Sequence, residues 1–106
     1  MTPPDHNTDI VGKFIDVSLY RELAETIPDE NLEIIEQIPQ KDKEQIVNAY
    51  KPYLNGMELS PFAVTLGDNV LFTNSVGTVY YVDFDFGVFD MGRSLDEFVA
   101  ELKNGL

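Results

Sequence analysis

The apolar positions in the second half of the chain fall into short alternating runs separated by Gly and Asn, followed by one helical repeat. From Thr78 to Asp85 the side chains alternate. Tyr80, Val82, Phe84 and Phe86 share one face, while Val79, Tyr81, Asp83 and Asp85 share the other. A period of two predicts a strand with one core face and one wet face, and the carboxylates place Tyr81, Asp83 and Asp85 on the outward side. Phe62, Val64 and Leu66 alternate in the same way. Gly67-Asp68-Asn69 then reads as a hairpin turn into Val70 to Thr73, Asn74 to Gly77 as a second turn, and Val88 to Met91 as a last strand after Gly87. Beyond it the period changes. Leu95, Phe98, Val99 and Leu102 recur at helical spacing, Ser94 and Glu97 form a capping box at the start, and Asn104-Gly105 supplies a stop.

The first half is less regular. Ile10 to Ile15 could be a short edge strand or an extended lead-in. Leu19, Leu23 and Ile27 are spaced by four, which predicts a short helix capped by Asp16 or Ser18 and ended by Pro28. Pro28-Asp29-Glu30 reads as the start of a second helix, with acids at the positive end of its dipole and Leu32, Ile35 and Ile38 along its apolar face as far as Pro39. A third helix is expected from Lys41 to about Tyr50, with Ile46, Val47 and Tyr50 facing inward, before Pro52 and a turn at Asn55-Gly56. Met1 to Asp9 holds Pro3, Pro4 and the only histidine among polar residues, and reads as a mobile leader to a single domain at 10–106. The expected fold is α+β: N-terminal short helices, an antiparallel or mixed sheet of four to five strands, and a C-terminal helix packed on the sheet.

Composition narrows the chemistry. With 106 residues and 43% hydrophobic content the chain can build one cored domain. Nineteen acidic residues against seven basic ones give a formal charge of −12, a potential that repels nucleic acid and favours a basic protein partner. The absence of cysteine removes disulfides, thiolate nucleophiles and thiolate metal sites. No apolar run approaches the length of a membrane span, so no membrane partner is expected and the cytoplasm is the expected compartment.

Candidate reactive groups are few. His6 lies in the leader, without a scaffold for a dyad or a metal site. Asp83, Asp85 and Asp90 resemble a calcium loop superficially. Counted from Asp83, however, the fifth position is Gly87 and the twelfth is Ser94, so the ligand pattern fails. Paired carboxylates could act as general acid and base only if a pocket and burial separated their pKa values. No catalytic residue, cofactor or metal is therefore expected. What remains is partner binding: Tyr81 beside Asp83 and Asp85 on a rigid strand, with Asp90 beyond the turn, as an aromatic anchor among acids. Glu30 and Glu33 form a second candidate within the run of acids from Glu22 to Glu36, which otherwise makes solvated helix faces.

The order of a Phe-Ala-Val strand, GDNVLF, a turn, GTVYYVDFDFG and a final SLDEFVAEL resembles the small bacterial immunity proteins of the SUKH superfamily. It is about as similar to the GAD-like immunity proteins associated with type VI secretion. Ile27-Pro28-Asp29-Glu30, opening a helix, resembles the Leu-Pro stretch found early in those domains. The resemblance implies an α+β domain with a curved sheet that binds a cognate secreted toxin and blocks it, with no catalytic residues to carry over. The acidity suits a toxin that cleaves nucleic acid, because an acidic inhibitor can fill a basic substrate groove. The alternative is an acidic adaptor or regulatory interaction domain in which charge serves solubility. A small enzyme, the third possibility, has no sequence feature in its favour.

Overall fold

The structure, a computed structural model, describes residues 10–67 and 69–104. The expected leader, Asp68 of the first hairpin turn and Gly105 of the expected helix stop lie outside the described residues. Six strands, Phe14–Asp16 (β1), Asn31–Gln37 (β2), Ser60–Thr65 (β3), Asn69–Thr73 (β4), Thr78–Asp83 (β5) and Gly87–Ser94 (β6), pair antiparallel in chain order as one curled meander. Among the described residues three helices accompany it, Arg21–Thr26 (α1), Lys43–Tyr50 (α2) and Leu95–Ala100 (α3), with single 3-10 turns at Val17–Leu19, Gln40–Asp42 and Lys51–Tyr53. The class is α+β as expected, with six strands in place of four to five.

The extra strand is the segment expected to be the second helix. Leu32, Ile35 and Ile38 fit a helical stripe, yet the buried pair is Leu32 and Ile34, two residues apart, and Ile35 is exposed. β2 pairs on both sides, with Ile15 opposite Leu32 on β1 and Ile34 opposite Thr65 on β3. A bulge between Ile34 and Glu36 reverses the phase of the side chains, which sends Ile38 into the opposite core. A helix this short is marginal in water, whereas a central strand satisfies its backbone from two neighbours. Tertiary pairing therefore overrides the helical spacing.

The sheet carries a core on each face. On the first, α3 is started by the predicted capping box: Glu97 N donates to Ser94 Oγ at 3.2 Å and Ser94 N donates to a Glu97 carboxylate oxygen at 2.9 Å. Phe98 is fully buried against Phe62 and Tyr20, and Leu95, Val99 and Leu102 pack around it. The helix stops at Ala100, earlier than expected, because Lys103 turns back to exchange two backbone hydrogen bonds with Phe14. That contact covers the outer edge of β1. On the second face Tyr50 of α2 packs in a core with Leu54, Val70, Phe72 and Val82, with Ile46 of the same helix half-buried beside them.

Two cores overturn the expected face assignments. In β3 the buried positions are Pro61, Ala63 and Thr65, the set opposite to the one predicted, and Leu66 is exposed in the turn. β5 has no wet face: Val79 and Tyr81 belong to the first core and Val82 to the second. Tyr81 is 1% exposed and Asp83 is buried as well, so the expectation that both stand outward is corrected.

Candidate partner-binding surface

β5 ends at Asp83, and the strand alternation cannot be carried past it. The Asp83 carboxylate turns onto its own backbone, accepting from Asp85 N at 2.7 Å and from Phe86 N at 3.1 Å. Gly87 follows at φ 97°, a left-handed value that a side chain would strain. This closes the hairpin tightly and pushes Phe84, Asp85 and Phe86 outward. Phe84 is 46% exposed and Phe86 53%, although the alternation would have made both core residues. Phe84 lies stacked on Tyr50 with ring centroids 4.6 Å apart and meets the edge of Tyr53 at 4.9 Å. Tyr53, at the end of the 3-10 turn after α2, is itself 39% exposed. The result is an exposed strip in which the Phe84 and Tyr53 rings touch and Asp85 and Phe86 follow Phe84 along the turn.

The residues named from sequence do not converge on one site. Tyr81 cannot anchor a partner from the core, where its hydroxyl accepts from the Asn69 amide at 2.8 Å and burial pushes the phenol's pKa above its usual range. Asp83 organises the turn from beneath. Only Asp85 stands on the strip. Asp90 is exposed on β6, where its carboxylate accepts from Gly92 N at 2.8 Å. Glu33 is half-buried in β2, opposite Phe14, and Glu30 is exposed in the α1–β2 connection. Glu30 lines a groove of about 400 Å³ together with Asp16, Asp29, Asn31 and Lys103. There the Ser18 hydroxyl holds the Asp16 carboxyl below its ordinary value, and the Asn31 side-chain oxygen is buried without a hydrogen-bond partner. A larger groove of about 530 Å³, mainly apolar, runs beside α2 past Val47, Leu54, Met57 and Leu59. Among the described residues no three His, Cys, Asp or Glu side chains stand close enough to hold a metal ion.

Phe84, Phe86 and Tyr53 are the surface residues that sequence reading missed. The signal was Asp83 two and three residues ahead of Asp85 and Phe86, with Gly87 behind them, which is the signature of a side-chain-closed turn and ends the alternation there.

The sequence matches the RhsPI family over residues 9–103, a span that includes all six strands and all three helices. The chain belongs to the RhsPI family. RhsPI is a family of Rhs-associated immunity proteins, so the coarse role of the chain is immunity in an Rhs toxin system, with a cognate toxin as partner. Immunity families are generally non-catalytic. The expectation of an immunity protein thus stands at this level, and the RhsPI match names neither SUKH nor the GAD-like proteins. No curated protein matches the chain.

Proposed function

We propose that this RhsPI protein neutralises its Rhs toxin in the cytoplasm by binding it and occluding its active surface, and that the toxin is one that cleaves nucleic acid. The observation that carries the reading is membership of an Rhs-associated immunity family across 9–103 in a chain of net charge −12. An enzyme that cleaves nucleic acid holds its substrate's phosphates with Lys and Arg, and a strongly acidic protein is drawn to the same groove by the same field. Such steering speeds association and weakens with salt. Asp85 in the β5–β6 turn, Asp90 on β6, Glu30 in the α1–β2 connection and the half-buried Glu33 on β2 supply carboxylates, and no cofactor enters the mechanism, since occlusion requires only complementarity.

The test is to co-express the chain with the product of the adjacent gene, purify both, and measure binding at low and high salt. Protection of the cells and a complex whose affinity falls as salt rises are the expected results. If that product neither binds nor is neutralised, the immunity reading fails and an acidic adaptor takes its place.

A further inference from the structure

We infer that the β5–β6 turn is the anchor of the complex: Phe86 and Phe84, with Asp85 between them and Tyr53 alongside, enter a cationic cleft of the toxin. This rests on the immunity reading and adds to it the surface and the chemistry of the contact. Turns between strands favour Gly, Asn, Asp and Ser, so two half-exposed phenylalanines in three consecutive positions are not required by the turn. Phe84 has a second occupation, since it lies over Tyr50 and closes the rim of the second core. Phe86 is the more exposed of the two.

The display is also rigid. Two hydrogen bonds to Asp83 fix the backbone, and ring stacking fixes Phe84, so little conformational freedom is lost when a partner closes over the strip. Aromatic side chains held in this way are the usual centres of binding energy in interfaces. Charge selects the occupant. A second copy of the chain would bring another −12 to the contact and be repelled, whereas a cationic cleft would pair Asp85 while its apolar floor took the rings.

The experiment measures calorimetric affinity for the adjacent gene's product with wild type, Phe86→Ser, Asp85→Asn and, as a control at the opposite end of β5, Val76→Ser. Thermal midpoints are recorded for all four. The expected result is at least about a tenfold loss for Phe86→Ser and a shallower salt dependence for Asp85→Asn, with an unchanged Val76→Ser and unchanged midpoints. Wild-type affinity in both Phe86→Ser and Asp85→Asn would overturn the anchor and leave the immunity reading intact. Absence of binding by the wild-type chain would instead overturn the reading beneath it.

Discussion

At one end of β5 the Asn74 side-chain oxygen accepts from Val76 N at 3.1 Å and Thr78 N at 2.9 Å; at the other, the Asp83 carboxylate accepts from Asp85 N and Phe86 N at nearly the same distances. Each turn is followed by a glycine in the left-handed region, Gly77 at φ 89° and Gly87 at φ 97°. Backbone closure is therefore solved alike at both ends. The first turn carries Ser75 and Val76, the latter 81% exposed, whereas the second carries Phe84, Asp85 and Phe86. Because an Asx side chain and a glycine suffice to reverse the chain, the aromatic residues at the second turn answer to something other than chain reversal. Part of that is internal, the cover Phe84 gives Tyr50. The remainder points outward.

The comparison can be strained at several levels of energy. The largest effect is expected away from both turns, where Phe98→Asp would put an unpaired charge into the first core and abolish the cooperative melt seen by circular dichroism. A wild-type midpoint for that variant would mean that α3 does not pack on the sheet, and neither turn would then stand on a fixed frame. Next comes alkaline pH. Burial, and for Tyr20 also its hydrogen bond to Glu101, raises the folded-state pKa of Tyr20 and Tyr81 above the ordinary value of 10.0. A raised pKa means that the folded state prefers the neutral phenol, so this stability is complete below pH 10 and is lost as pH climbs beyond it. The thermal midpoint should fall between pH 10 and 11, and less so in Tyr81→Phe; a midpoint flat to pH 11 would contradict the burial assigned to β5.

Smaller effects address the turns themselves. Asn74→Ala and Asp83→Ala each remove an acceptor of two backbone bonds, and each should cost about 1–2 kcal/mol in urea melts. Similar costs would confirm that the two turns share one device. A far greater loss for Asp83→Ala would make the aromatic turn a pillar of the fold. The smallest changes are expected for Phe86→Ser and Val76→Ser, both within about 0.5 kcal/mol of wild type by the same melts, as exposed positions usually are. A loss near 2 kcal/mol for Phe86→Ser would turn that ring into a folding residue and end the contrast.

Local signals were legible wherever one short segment decides its own structure. The capping box at Ser94 and Glu97, the meander from β3 to β6 and the helix ending at Tyr50 could all be read from spacing and punctuation. β2 could not, because NLEIIEQ suits either period and only its pairing with β1 and β3 decides between them. The site failed for a related reason. Alternation shows that a strand has two faces without showing that both are covered: α2 lies on the Tyr80 and Val82 side, which was expected to be core, while the first core with Phe98 of α3 covers the Tyr81 side, which was expected to be wet. Carrying the alternation three residues past Asp83 then placed Phe84 and Phe86 on a core face, although both are exposed. Of the residues named in advance, Asp85 is the one on the aromatic strip, and its carboxylate needed no partner fold to be seen.

The claim that the second turn is furnished for a partner is tested most directly by amide hydrogen exchange on the chain alone and bound to the adjacent gene's product. Exchange should slow on binding at Phe84 to Gly87 and stay unchanged at Asn74 to Gly77, since each turn is closed by its own Asx side chain and only one is covered. Slowing at Asn74 to Gly77 with none at Phe84 to Gly87 would contradict the account.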